Sequence, residues 1–209
     1  MIVSGVRAPY PTDLEHMVRW ADGTTCHVRA IRPEDARGLA AFHGLLSSRS
    51  AYLRFFTVHP ELSSAEIERF TCVDYDDRLA LVVVHDGALV AVGRYDRLPD
   101  SVEAEVAFVV TDEFQHRGIG TLLLDDLAEA ALQRGITTFV ASTLAENHTM
   151  LGVFSHSGFR VSSSRDHETI SLRFSIEPDD QYRAALLARR ETSDTGSTQG
   201  PHDMGPSRC

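Results

Sequence analysis

Apolar positions along this chain recur with two periods, and the change from one to the other marks its elements. Short apolar or alternating runs flank Asp-Gly pairs twice: His16 to Trp20 and Thr25 to Ile31 lie around Ala21-Asp22-Gly23-Thr24, and Leu79 to His85 and Leu89 to Asp96 lie around Asp86-Gly87. Asp-Gly between such runs predicts hairpins. Ala104 to Thr111, the β-branched Thr137 to Thr143, Arg160 to Ser164 and Thr169 to Ile176 are four further strands. Helical spacing appears in Ala36, Leu39, Ala40, His43 and Leu46, behind Arg32-Pro33-Glu34-Asp35, where proline and two acids suit a first turn. His43 on that face is a packed core histidine. Ser63-Ser64-Ala65-Glu66 carries a capping pattern and predicts a short helix from Ser64 to Phe70. Leu123, Leu127, Ala130 and Ala131 form the apolar stripe of a longer helix, with Asp125, Asp126, Glu129 and Gln133 opposite and Gly135 as its stop. Asn147 to Ser157 is a helix that ends at Gly158-Phe159. The aromatic run Ser50 to Phe56 is too short for a long helix and either borders a groove or seals the core.

Strands and helices interleave, so the fold class is α/β (α+β), and 43% hydrophobic residues in 209 suit one compact domain with extensions. Residues 1–15, with Pro9 and Pro11, read as a flexible arm; 16–176 form the domain; 177–209 are a polar extension with a short helix at 181–190 and disorder from about 191. The N-terminus lacks a signal-peptide pattern and Leu79 to Val84 is too short to span a bilayer, so a cytoplasmic protein with no membrane partner is expected. Oligomeric state is not encoded in any readable pattern. Cys26, Cys72 and Cys209 are too few and too scattered for disulfides or zinc, and the ten histidines show no paired ligand spacing, so no metal is expected. A net charge of -10 argues against nucleic acid and suits a cationic substrate. All 20 basic residues are Arg, which fits either a compositional preference or an enzyme that would otherwise modify its own lysines.

Chemistry concentrates between Phe108 and Leu127, where a strand leads through Gln115-His116-Arg117-Gly118-Ile119-Gly120-Thr121 into the leucine-rich helix. A helix N-terminus behind a glycine turn binds anions, because its first N–H groups lack internal partners and the helix dipole is positive there. A P-loop would need Lys and Ser or Thr after the second glycine, where Thr121 and Leu122 stand; a dinucleotide fingerprint would need a third glycine, where Leu123 stands. The remaining pattern, Gln-x-x-Gly-x-Gly with Arg117 adding positive charge, followed by Asn147 and Gly158-Phe159, resembles the acyl-CoA-binding motif of the GNAT superfamily of N-acetyltransferases.

That resemblance covers about residues 25 to 176 and implies a mixed, mostly antiparallel central sheet flanked by helices, with a splayed strand pair at the acyl-CoA site. It implies acetyl-CoA as cosubstrate, its pyrophosphate held by Gln115, His116, Arg117, Gly118, Ile119, Gly120 and Thr121, its pantetheine paired with Phe108, Val109 and Val110, and further contacts from Asn147 and Phe154. Glu105 interrupts an apolar strand, where burial would raise a carboxylate toward neutrality and suit it to general-base catalysis; a glutamate holds the matching place in the protein-lysine branches of the family. Glu103 on the same side is a helper or a solvated acid. Phe154 stands where many members have a tyrosine that protonates the departing thiolate, with Ser155 and His156 as weak substitutes. RPEDA, SAYLRFF, VDYDDR, AEVAF and AENHTML look like the acetyltransferase domain of bacterial protein-lysine acetyltransferases that modify acyl-CoA synthetases. The expected partner is therefore a protein with an exposed lysine, such as an acyl-CoA synthetase. Acetylation of a small-molecule amine, and a non-catalytic acyl-CoA-binding module, are the alternatives.

Overall fold

The structure is a computed structural model that describes residues 8–20 and 22–194, the side chains of 189–194 excepted. Eight strands form one sheet in the order β1-β2-β3-β4-β5-β6-β8-β7. They are β1 (His16–Arg19), β2 (Thr25–Ala30), β3 (Arg78–His85), β4 (Ala88–Arg97), β5 (Glu103–Val110), β6 (Thr138–Leu144), β7 (Ser162–Asp166) and β8 (Thr169–Ser175). Neighbours run antiparallel except β5 and β6. The Asp86-Gly87 turn has both residues at positive φ (48° and 79°), the geometry that matches strand twist in a two-residue hairpin.

Among the described residues there are six α-helices: α1 (Ala36–Gly44), α2 (Ser48–Phe55), α3 (Ser64–Thr71), α4 (Ile119–Gln133), α5 (His148–His156) and α6 (Asp180–Asp194). Strand alternation assigns the faces. Gly93 on β4 meets Phe108, Leu123 and Leu127, so α4 lies on that side. Its neighbours Val92 and Arg94 share an apolar pocket with Leu39, Phe42 and Phe55, so α1 and α2 cover the opposite side. Because both faces are covered, Leu79 to Val83 are fully buried and read as a continuous apolar run.

Three elements differ from the sequence reading. Residues 50–55 belong to helix α2, with Phe56 as its left-handed C-cap, and its N-cap Ser47 accepts from the Ser50 N–H through its side chain. The described part of the expected arm is anchored: the Ala8 N–H donates to the Asp74 carbonyl at 2.9 Å, and the Tyr10 hydroxyl donates to Glu15. Apolar contact explains this, because the Tyr10 ring meets Tyr75 edge-on at 5.6 Å and lies under the Arg32 guanidinium. The C-terminal helix runs beyond 190 to Asp194, held by Tyr182 stacked on Phe159 at 4.4 Å. The expected disorder beyond 194, residues 1–7 and Cys209 lie outside the described residues. Cys26 is buried in β2 and Cys72 caps α3. Among the described residues no helix is long and apolar enough to cross a membrane, and no His, Cys, Asp and Glu group is arranged to hold a metal.

Candidate active site

The sheet opens where β5 and β6 part. They pair in parallel only at Glu103 with Thr138, Ala104 with Phe139 and Glu105 with Val140. Beyond Glu105, β5 continues to Val110 and β6 to Leu144 without pairing to each other. Backbone groups of β5 that point away from β4 are therefore left without a strand partner, and a buried sheet edge of this kind calls for a ligand to complete it. A cleft of about 760 Å³ occupies the gap. Its walls come from β5, β6, α2, α5 and the turn before α4.

The turn supplies the cleft's electropositive end. Gly118 caps α4 at φ 80°, and His116 stands at φ 60°. Two positive-φ residues in this short turn lead the chain into a helix start whose first N–H groups have no intrahelical acceptor. A non-glycine residue in this conformation costs on the order of 1–2 kcal/mol, so His116 stores strain at the site. Gln115, His116, Gly118, Ile119, Gly120 and Thr121 all line the cleft.

Arg117 does not line it. Its guanidinium donates to Asp22 Oδ2 at 2.6 Å and Thr24 Oγ1 at 3.2 Å, and its carbonyl accepts from Trp20 Nε1 at 2.6 Å. The expected nearby positive charge is thus neutralised by the β1–β2 hairpin, and Arg117 fixes the turn from behind. Gln115 is also committed inward, donating from Nε2 to Ser50 Oγ, the Val110 carbonyl and Asp112 Oδ1. The Asp112 carboxylate accepts from the Ser47 N–H at 2.9 Å and Ser50 Oγ at 2.6 Å. Burial opposes its ionisation, but these hydrogen bonds hold it below the usual carboxylate range. This network ties α2 to the turn. The sequence reading missed it, although Ser47 and Ser50 stand at cap spacing before the aromatic run.

Glu105 lines the cleft with Ala107, on the β5 face that α2 covers, while Val106 and Phe108 are buried on the α4 side. The expected apolar burial of this carboxylate is not found: Glu105 is exposed within the cleft. Glu103 lies outside the cleft and pairs through both carboxylate oxygens with Arg173. The acidic loop after α3 is structural as well, since Asp74 caps the Asp76 and Arg78 N–H groups and Asp77 pairs with Arg97.

Phe108, Val109 and Val110 line the cleft from β5, and Asn147 and Phe154 from α5. Asn147 caps α5 by accepting from the Met150 N–H at 3.1 Å. Phe154 is 2% exposed and packs against Phe108 and Phe174, so an aromatic wall with no transferable proton stands there. Of the two substitutes considered, His156 lines the cleft and Ser155 does not. Sequence reasoning also missed Thr143, whose Oγ1 is buried on the β6 wall with no hydrogen-bond partner among the described residues. Nothing in a β-branched strand pattern distinguishes that hydroxyl from a packing residue.

The acetyltransferase (GNAT) family matches residues 47–159. Acetyltransferase PA5475 of Pseudomonas aeruginosa is 28% identical over 152 residues, covering 71% of this chain and 82% of that protein. Acetyltransferase Pat of Mycolicibacterium smegmatis is 31% identical over 139 residues, 65% of this chain, and the match spans 41% of that protein's length. The crystal structure of the GNAT domain of S. lividans PAT superposes with a TM-score of 0.76 at 37% identity, covering 80% of this chain and 99% of that one.

Proposed function

The chain belongs to the GNAT acetyltransferase family and is an acetyl-CoA-dependent N-acetyltransferase, and from that premise we propose that it acetylates lysine side chains of a protein, with Glu105 as general base. The observation that carries this reading is the placement of Glu105 on β5 at the last residue paired to β6, where the cleft begins. One strand thus presents a carboxylate and, beyond it, an unpaired backbone edge. The turn from Gln115 to Thr121 would hold the cosubstrate pyrophosphate through backbone N–H groups. The free edge of Val106 to Val110 would pair with the pantetheine and polarise the thioester carbonyl.

Transfer then proceeds by ordinary acyl substitution. Glu105 takes one proton from the lysine ammonium, the amine nitrogen attacks the carbonyl carbon, the carbon–sulfur bond breaks, and the second proton lost from the acylated nitrogen goes to the departing thiolate, leaving a neutral amide and CoA thiol. Because Glu105 is exposed in the cleft, desolvation of its carboxylate would come from the bound substrates themselves. A protein acceptor is supported by the exposed apolar side chains of Tyr52, Phe56 and Val58, which follow one another along α2 and the segment after it. The two relatives named Pat and PAT support the same reading, and the segments resembling protein-lysine acetyltransferases favour an acyl-CoA synthetase as substrate.

Incubation of purified enzyme and acetyl-CoA with candidate synthetases, read by intact-mass spectrometry and peptide mapping, tests the proposal. Addition of one acetyl group at a defined lysine is expected. Unmodified synthetases alongside CoA release with free amines would instead assign a small-molecule acceptor.

A further inference from the structure

Among the described residues, buried and half-buried arginines follow a rule with one exception. Arg29, Arg32, Arg78, Arg94, Arg97 and Arg117 each reach a carboxylate at 2.5–2.9 Å, and Arg134 donates to the carbonyls of Tyr75 and Ala130. Arg54, half-buried on α2, has no hydrogen bond and no ion pair within 4 Å among the described residues; its contact is the Phe55 ring at 5.2 Å. It lines the cleft and also the adjoining apolar pocket of about 40 Å³ behind Ala107 and Val109. Arg94 shares that pocket but is spent on Asp96. A half-buried charge without a hydrogen-bonded partner is costly, so a guanidinium left this way in a cleft wall is suited to an anion arriving from outside. Desolvation and the charge of Arg94 push its pKa down to about 10, while Glu105 pulls it back up.

Glu105 and Arg54 thus place one negative and one positive group on the same side of β5, the side under α2. We propose that Arg54 binds a carboxylate of the acceptor while Glu105 takes its ammonium, so that preferred acceptors carry an acidic group close to the reacting amine. A lysine beside an Asp or Glu has this chemistry, and so does a free amino acid. The inference rests on the reading of Glu105 as the acceptor-side base. The planar fork of Arg fits a carboxylate with two parallel hydrogen bonds.

The test compares acceptors in pairs that differ by one carboxylate: lysine peptides with Glu or Gln at the adjacent position, and free amino acids against their amides, all with acetyl-CoA. A charge-assisted hydrogen bond corresponds to roughly tenfold or more in kcat/KM within a pair, and wild-type enzyme is expected to show this preference. Arg54→Gln should bring the ratio close to one, and Arg54→Lys should retain part of it. Because the ratio is taken within one variant, a general loss of activity does not imitate the result. Equal rates within every pair for the wild type, or a preference that Arg54→Gln leaves intact, overturns the proposal. An Arg54-dependent preference for succinyl-CoA over acetyl-CoA, without any acceptor preference, would place the carboxylate on the donor and overturn it too. If peptides stay unmodified while amino acids react with the expected preference, the protein-substrate reading fails and the role of Arg54 stands.

Discussion

Glu105 reaches the cleft through the two-residue period of a strand, with Val106 and Phe108 turned into the core beneath α4 and Glu105 and Ala107 turned the other way. Replacing it by Gln keeps shape and removes the proton acceptor. Turnover should fall about 10²-fold or more, the usual contribution of a general base, with acetyl-CoA affinity unchanged by calorimetry; an unaltered rate would remove Glu105 from the chemistry. Gly118 is placed, under the proposed function, at the acetyl-CoA end of the cleft. Its φ of 80° costs an L-residue about 1–2 kcal/mol, so Gly118→Ala should weaken acetyl-CoA binding by up to roughly tenfold, measured by the same titration. That both residues line one cleft was legible in the sequence, because each was singled out by a residue type at a fixed spacing. The surroundings of Arg117 were not legible: a basic residue in a glycine turn suggests a ligand, and only the fold shows that Asp22, 95 positions away, already pairs with it. Thr143 and Arg54 were not singled out, since a missing partner is a property of three-dimensional surroundings.

At the scale of elements, periodicity served well wherever one face decides an element's fate. β3 to β5 and α4 were predicted close to their observed bounds, because alternation, Asp-Gly turns and a leucine stripe are local signals. The helix at 48–55 was harder, since its aromatic content obscured the period and Ser47 supplied the decisive cap. The splay of β5 from β6 cannot be read from period at all; it entered through resemblance, and the register shows it as three paired positions followed by none. What keeps the opening in shape is close packing on the α4 side. A Cβ at Gly93 would stand 2.9 Å from Phe108 Cδ1 and 3.2 Å from both Leu123 Cβ and Leu127 Cδ1. Gly93→Ala should therefore push α4 away from β5. Overpacking of this kind costs about 1–3 kcal/mol, or ~2–4 °C of Tm per kcal/mol in a chain of this size, and calorimetric unfolding with an unchanged Tm would show that α4 yields freely.

Across the whole molecule, segments distant in sequence close over the helix that follows the glycine turn. The sequence placed Asp125 and Asp126 opposite the apolar stripe of α4, and β1 and α6 reach that face. His16 Nε2 stands 3.5 Å from Asp126 Oδ2, and the Tyr182 hydroxyl donates to Asp125. Asp126 Oδ2 is consequently buried without a hydrogen bond among the described residues. Burial pushes its pKa up to about 6; His16 opposes the rise, and the charges of Asp125 and Glu129 add to it. The sign of the stability effect follows from linkage. Below about pH 4 the carboxyl is protonated in folded and unfolded chains alike, so its titration contributes nothing. Between about pH 4 and 6 the unfolded chain releases the proton while the folded one keeps it, and stability falls as pH rises until the folded carboxyl has ionised. The loss is on the order of 2–3 kcal/mol by the free energy of two pKa units. Asp126→Asn lacks this titration and should be more stable than wild type at pH 8 by about that amount, with the advantage vanishing by pH 4. Denaturant midpoints collected across this range measure it directly, and curves that stay parallel from pH 4 to 8 would mean that Asp126 is solvated and that β1 does not close over α4 in solution.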